Sequence, residues 1–361
     1  MSMTPASAIP DKAAVLIIGG GVAGLSAANA LLGQGVDVAL VEAEDRLGGR
    51  VRRSGSVFPV LVSGSEVVAA MEARLRSSHR AHVMLESRVL SARRSGKGFE
   101  AEVESDHREG GPVARASIRA DAVIVATGME AVDAGQIPEL GYPRIKDVVT
   151  SEGFEGLVGK GVLRRPSDGE HVRALAFVQC VGSRVQSRGV PYCSSVCCMN
   201  AMKWASAVRE SDPSIETYVL YIDIRAHGKG YEDLYRRARE KGVRFIRGQP
   251  SMIRPVPGGP GILVCGENTL LKELYEIPVD LGVLNVGMRQ WPETLALLEM
   301  LGVGVDHAGM PLSPGWEGVR TNTEGVFVAG CAEAPKDVRD SMAQGHAAAM
   351  AALEHLQGVQ R

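Results

Sequence analysis

Four cysteines, Cys180, Cys193, Cys197 and Cys198, fall in the pattern C-x12-C-x3-C-C within QCVGSRVQSRGVPYCSSVCC. Four thiolates are the ligand set of a 4Fe-4S cube. Cys193, Cys197 and Cys198 stand at the start of a helix expected over SSVCCMNAMKWASAVRE, whose unpaired N–H groups and dipole favour an anion. Cys180, at the end of the strand ALAFVQC, would close the fourth corner. Other uses of these thiols stay open. They are packing as small apolar side chains, a zinc site, which adjacent cysteines fit awkwardly, and a redox disulfide such as Cys193 with Cys197. No C-x-x-C run occurs in the chain.

A second constellation lies near the start. AAVLIIGGGVAGLSAANALLGQGVDVALVEAED reads as strand, glycine turn, helix and strand, with Gly19, Gly21 and Gly24 in G-x-G-x-x-G positions and Glu42 ending the second strand. Gly19 permits the tight turn, Gly21 lets a pyrophosphate approach the backbone, and Gly24 allows close helix packing. Glu42 can accept hydrogen bonds from ribose hydroxyls. Together these make a dinucleotide fingerprint in its proper context.

The elements around these residues define an α/β protein. A chain of 361 residues, 45% of them hydrophobic and with 43 glycines, is long enough for two such domains. A formal net charge of −2 shows no basic excess, so no nucleic-acid partner is expected. The start, MSMTPASAIPDK, lacks the charged and apolar regions of a signal peptide and reads as a flexible leader. No apolar run approaches the ~18 residues of a membrane span. Clustered thiols without a targeting signal suit the reducing cytoplasm.

Several segments resemble the two-dinucleotide-binding-domain flavoproteins of the thioredoxin reductase type. DRLGGR, with Gly49 and Arg50, resembles the run that wraps the FAD pyrophosphate in those proteins. ADAVIVATGME, with Thr127 and Gly128, and TNTEGVFVAGCAEAPKD, with Gly330, stand where they bring the chain back to the flavin. The resemblance also places the backbone at Val89 against adenine, and it makes FAD the cofactor. From about Arg173 strands and helices repeat the first order, but CVGSRVQSRGVPYCSSVCC replaces a second glycine fingerprint. The expected architecture is a Rossmann-type FAD domain over 1–155 and 288–361 and a degenerate second nucleotide-type domain over 156–287.

Where relatives of this superfamily carry an aspartate that bonds the ribityl chain, this sequence has Cys331. The helix after Pro335 is expected to aim its N-terminus, with Asp337 and Val338, at the flavin N1 and O2. Lys336 is the expected catalytic group, an ammonium near the flavin N5 that tunes its potentials. An exposed ion pair with Asp337 is its plainer reading. Arg339 and Asp340 are expected to face solvent, and Cys265 to pack in a strand.

FVQCVGSR, PYCSSVCCMNAMKWA, YIDIRAHGKGYEDLYRRAREKGVRFIRG and AGCAEAPKDVRDSMAQ, in this order, resemble the FAD-carrying A subunit of heterodisulfide reductase. The resemblance runs from about Ala13 to Leu356, and in that family the four cysteines hold a 4Fe-4S cluster beside the flavin. The additional ferredoxin-like modules of methanogen A subunits are missing, so the chain looks most like the short A subunits of sulfur oxidisers. This implies an electron-transfer subunit, homodimeric, with iron-sulfur B-type and C-type partner subunits in sulfur metabolism. Two rivals are a stand-alone NAD(P)H-dependent flavin oxidoreductase, with Asp223 as ribose ligand, and a scaffold stabilised by its cofactors. IRAHGKGYEDLYRRAREKG, with Arg236, Arg237 and Arg239, and PVPGGPGILVCGEN read as exposed surface open to partners.

Overall fold

A computed structural model describes residues 10–105, 113–159, 161–186 and 189–359; the start of the expected leader lies outside them. β1 (Lys12–Ile18) is apolar and mostly buried, as a central parallel strand must be. The chain turns at Gly19 into α1 (Val22–Leu32) and β2 (Val38–Val41), then passes through the short α2 (Gly49–Arg53) and α3 (Gly64–Arg76). β3 (Ala81–Met84) joins the parallel set. β4 (Ser87–Ser95), β5 (Gly98–Ser105) and β6 (Ala114–Val125) form an antiparallel meander. Lys12–Ile18 pairs with Arg119–Val125, while the earlier part of β6 pairs with β5, so one strand serves both parts of a β3-β2-β1-β6-β5-β4 sheet.

The next stretch repeats the plan. After β7 (Glu130–Ala131) come β8 (Val148–Thr150), α4 (Ser151–Val158) and β9 (Ala174–Val181). α5 (Cys197–Ser211), β10 (Glu216–Tyr221), α6 (Tyr231–Glu240) and β11 (Arg244–Arg247) follow. β12 (Pro250–Pro255), β13 (Ile262–Asn268) and β14 (Glu273–Val279) make an antiparallel sheet of their own. β15 (Leu281–Val286) then enters between β9 and β8, giving the parallel order β11-β10-β9-β15-β8, and β16 (Met288–Arg289) ends this stretch.

The last elements return to the first sheet. α7 (Pro292–Met300) begins with proline at a first-turn position, where a missing N–H costs nothing. β17 (Val326–Val328) runs parallel to β6, and α8 (Val338–Val359) lies along α1. The contact between those helices is close: a Cβ at Gly345 would fall 2.3 Å from the Ala23 carbonyl oxygen. Ser26 Oγ donates to the Met342 carbonyl at 2.7 Å across the same seam.

Two units result, one of residues 1–54, 62–130 and 290–361, the other of 55–61 and 131–289. The crossing expected near 155 falls at 130, because Leu140, Val148 and Phe154 are buried in the second unit's cores and β8 pairs with β15. The short visit of Gly55–Leu61 to the second unit leaves no periodic trace in sequence. It is held by two hydrogen bonds and by packing: Glu155 Oε2 accepts from the Gly55 N–H at 3.2 Å, Lys203 Nζ donates to the Ser56 carbonyl at 2.8 Å, and the Phe58 ring meets that of Tyr231 edge-on at 5.7 Å.

The surface expectation for PVPGGPGILVCGEN needs correction. Ile262, Val264 and Cys265 are buried in β13, the middle strand of its sheet, while the turn before it and Glu267 near its end are exposed. Likewise Tyr231, Leu234 and Ala238 bury one face of α6. Arg236 pairs on its exposed face with Asp233 at 2.7 Å, a contact worth about 0–1 kcal/mol.

Candidate functional site

The first unit gathers every residue assigned to the dinucleotide. Gly19 has φ +109°, and a Cβ there would fall 2.4 Å from the Ala126 carbonyl oxygen, so the turn is closed to any larger residue. A Cβ at Gly24 would lie 1.9 Å from the Gly19 carbonyl oxygen, whereas one at Gly21 would meet nothing within 4 Å. Gly21 therefore presents bare backbone to open space at the start of α1. No side chain caps that helix and no acidic residue lies in its first turn, so its N–H groups and positive end are available to a phosphate.

Glu42, 9% exposed, accepts from the Gly20 N–H at 2.6 Å and the Glu44 N–H at 2.8 Å. Burial lifts its carboxyl above the usual carboxylate range, and these backbone donors partly offset the lift. Two bonds leave further lone pairs on the carboxylate for ribose hydroxyls. Gly49 (φ +52°) lines a surface cavity of about 420 Å³ with Glu44, Asp45, Arg46, Arg52 and Arg53, and Arg50 is exposed next to it. Val89 lies in β4 beside the register shift between Val89 and Ser91. Thr127 Oγ1 accepts from Thr294 Oγ1 at 2.8 Å, and Gly128 follows with φ +73°.

Gly330 (φ +67°) gives its N–H to Gln344 Oε1 at 2.8 Å, and a Cβ on it would fall 2.6 Å from that of Ala23. The Cys331 thiol donates to the Lys336 carbonyl at 3.3 Å. The Lys336 ammonium is committed to its own loop, donating to the Gly330 and Ala334 carbonyls at 2.8 and 2.6 Å and to Glu333 Oε2 at 2.8 Å. To reach a flavin N5 it would have to give up these bonds. Asp337 Oδ1 accepts from the Asp340 N–H at 2.8 Å at the start of α8, whose first residue is Val338.

The second unit holds the thiols. Cys180 sits at the end of β9 with φ +59°, and Arg184 and Ser195 also occupy the left-handed region, at +63° and +62°. Each such non-glycine residue costs roughly 1–2 kcal/mol, and three of them mark a loop whose shape is imposed from outside its local preference. The loop doubles back through Val190 N–H to the Gly182 carbonyl at 2.9 Å and Arg184 N–H to the Tyr192 carbonyl at 3.0 Å. This carries Cys193 back toward Cys180. Cys193 precedes α5 rather than lying in it, and its sulfur accepts from the Ser195 N–H at 3.3 Å.

Cys197 and Cys198 open α5, which has no side-chain cap and no acidic residue in its first turn. Cys180, Cys197 and Cys198 are all buried. The Cys197 thiol is held well below the ordinary thiol range, first by donation from Cys180 and then by the neighbouring Cys198 side chain. Cys180 and Cys198 are pushed up by the same bonds and by burial. The three sulfurs thus favour one shared negative charge centred on Cys197. Among the described residues no three His, Cys, Asp or Glu side chains close around a single ion.

Buried polar groups without partners crowd the same place. Both polar atoms of the Gln179 side chain, the hydroxyls of Ser183 and Ser194 and the Asn285 amide nitrogen are buried and unbonded. A buried unpaired polar group costs about 1–3 kcal/mol, so such a set implies acceptors still to be supplied. The Ser194 hydroxyl, without a directed bond, is near enough to Cys197 to favour its anion.

Two residues here escaped the sequence reading. Lys203, buried in α5, donates to Glu155 Oε1 at 3.0 Å, which also accepts from Trp204 Nε1 at 2.9 Å. A lysine on the buried face of a helix opened by cysteines was the available signal. Arg184 donates to Asp223 Oδ2 at 2.8 Å, and Arg247 lies 3.6 Å from the other oxygen of Asp223. Asp223, the expected ribose ligand of the rival reading, is thereby engaged by two guanidinium groups. Cys265 packs within β13, as expected.

Residues 13–160 match the pyridine nucleotide-disulphide oxidoreductase family. The chain is 32% identical to the iron-sulfur A subunit of the CoB–CoM heterodisulfide reductase of Methanocaldococcus jannaschii, over 93% of this chain and 63% of that protein. It is 31% identical to the corresponding protein of Methanopyrus kandleri, the first of its numbered forms, over 96% of this chain and 64% of that one. The chain thus spans a little under two thirds of these relatives. Thioredoxin reductases share the fold: that of T. acidophilum superposes with a TM-score of 0.66 at 18% identity, covering 97% of this chain and all of its own. The enzyme of Lactococcus lactis gives 0.63 at 18%, over 96% of this chain and 99% of its own. The chain belongs to the family of CoB–CoM heterodisulfide reductase A subunits and has a thioredoxin reductase-like fold, and FAD is the cofactor these likenesses support. Among the described residues no helix is long and apolar enough to cross a membrane.

Proposed function

We propose that this oxidoreductase is the electron-transfer flavoprotein subunit of a heterodisulfide reductase-like complex in sulfur metabolism. In this reading it carries FAD in its first unit and a 4Fe-4S cluster on Cys180, Cys193, Cys197 and Cys198 in its second. Iron-sulfur B-type and C-type subunits are its partners, the chain forms a homodimer, and the cytoplasm is its place of work. When bound, FAD supplies exchange between two-electron and one-electron transfer, and the cluster supplies a one-electron relay.

The observation that carries this reading is the thiol site. Three buried free cysteines, Cys180, Cys197 and Cys198, stand at and just before an uncapped helix start, with Cys193 in the loop between them, where a second nucleotide-type unit would otherwise place a dinucleotide turn. In a cube each thiolate takes its own iron, so the four sulfurs do not have to meet at a point. The unbonded hydroxyls of Ser183 and Ser194 and the side-chain amide nitrogens of Asn285 and Gln179 would be available as donors to a cluster held there. In the first unit the Gly19–Gly24 turn and the free end of α1 bind pyrophosphate, and Glu42 orients ribose.

Engagement of Asp223 by Arg184 and Arg247 argues against a working nicotinamide site in the second unit. The test is iron and acid-labile sulfide per FAD in anaerobically purified protein, with visible spectra before and after dithionite. About four of each per flavin supports the reading. Flavin without iron, bleached promptly by NADH, replaces it with the NAD(P)H-dependent oxidoreductase.

A further inference from the structure

Arg184 joins two sides of the thiol site. Its guanidinium is fixed by Asp223 Oδ2 at 2.8 Å, in the loop that leads out of Cys180, close enough to feel the charge of that sulfur. The backbone carbonyl of the same Asp223 accepts from the Cys198 thiol at 3.6 Å. Arg247 backs the group, 3.6 Å from Asp223 Oδ1 and bonded through Nε to the Ile222 carbonyl at 3.1 Å. Two guanidinium groups against one carboxylate leave a net positive charge beside two of the four cysteines. The Arg184 side chain keeps 21% of its surface, so solvent screens its charge less than that of an exposed arginine. Its own backbone stands at φ +63°, a conformation arginine rarely adopts and one that fixes where its side chain starts.

Resting on the cluster assignment of the preceding section, we propose that Arg184, positioned by Asp223, raises the reduction potential of the cluster on Cys180, Cys193, Cys197 and Cys198. Taking up one electron, from flavin or in vitro from dithionite, adds one negative charge to the cluster and breaks no bond. A fixed cation beside its thiolates stabilises the reduced state more than the oxidised one. The same bond that places Arg184 also occupies the acid at the end of β10, so cluster tuning and loss of ribose binding at that acid are one structural change.

The test uses the full-length protein, purified anaerobically, as wild type, Arg184→Gln, Arg184→Lys and Asp223→Asn. Each is assayed for iron and sulfide per FAD and for cluster potential by a titration followed by electron paramagnetic resonance. Arg184→Gln is expected to keep its iron and to show a reduced-to-oxidised ratio at least tenfold lower at a given potential, about 59 mV for one electron. Arg184→Lys restores most of the shift, and Asp223→Asn moves the potential because the guanidinium loses its anchor. A fully iron-loaded Arg184→Gln at the wild-type potential overturns the proposal. If Arg184→Gln loses its iron, Arg184→Lys decides: recovery of iron and potential supports the role of charge, and an iron-free lysine variant overturns it. Wild type without iron overturns the cluster assignment itself, and this inference with it.

Discussion

The Lys203 ammonium lies 3.0 Å from the Glu155 carboxylate, with 2% of the lysine side chain and 18% of the glutamate side chain exposed. The ammonium also lies 4.5 Å from the Trp204 ring centroid. Burial draws the lysine below its ordinary range while Glu155 holds it up. Such a pair adds little net stability compared with apolar residues of the same shape, yet is expensive to break from one side.

Lys203→Met is therefore expected to destabilise the second unit by about 3–5 kcal/mol, since it leaves Glu155 uncompensated. The double variant Lys203→Met with Glu155→Leu should recover most of that loss. Urea unfolding followed by tryptophan fluorescence checks this. Equal losses in single and double variants would mean that packing, not charge, is what the lysine contributes.

Single serine replacements at Cys180, Cys197 and Cys198 are expected to cut iron well below four per FAD and leave flavin content unchanged, because the residues proposed for the flavin belong to the other unit. Cys265→Ser and Cys331→Ser are the controls and should keep full iron. Loss of iron in the Cys265 variant would show that the assigned set is wrong.

Gly21 and Gly24 should respond differently to alanine. Gly24→Ala places a methyl group 1.9 Å from the Gly19 carbonyl oxygen and is expected to cost the first unit about 1–3 kcal/mol or more, as well as its flavin. Gly21→Ala meets nothing within 4 Å, so its thermal unfolding without cofactor should match wild type while FAD binds at least tenfold more weakly. Calorimetry of the apoprotein and flavin titration separate the two effects. Tight FAD binding by Gly21→Ala would remove the pyrophosphate from this turn.

Glu42 predicts a pH dependence. Its folded pKa is raised above the unfolded value, so its contribution to stability is greatest in acid and declines as pH climbs between the two. Flavin binding runs the other way, because the carboxylate is the stronger acceptor for ribose hydroxyls and the protonated group turns one of its oxygens into a donor. FAD should dissociate on acidification at a pH above the ordinary carboxylate range, and Glu42→Gln should bind FAD about 10–100-fold more weakly without that step, matching ~1.5–3 kcal/mol for a hydrogen bond to a charged group. Flavin release from Glu42→Gln along the wild-type pH curve would assign the step to another group.

Much of this arrangement was legible in the sequence where chemistry is local. The glycine turn of Gly19, Gly21 and Gly24, Glu42 at the end of β2 and the four cysteines are each a spacing along the chain, and spacing survives in a single sequence. What could not be read depends on contacts between distant segments. Nothing in the residues 55–61 announces that Glu155 and Lys203 will hold them in the second unit. Asp223 reads as a ribose acid until Arg184, in a loop without regular structure, is found bonded to it. Lys336 reads as an ammonium aimed at a flavin N5, and nothing along the chain announces its bonds to the Gly330 and Ala334 carbonyls of its own loop.

The discontinuous units also fix an order of events during synthesis. β17 and α8, which the first unit needs beside β6 and against α1, are encoded after the whole of the second unit. A nascent chain can close the second unit's sheet once β15 has emerged, while α1 still lacks the helix that covers it. If Gly330–Val338 hold the flavin as proposed, its loading is a late step on the ribosome or after release, and the thiol loop is in place before the first unit is complete.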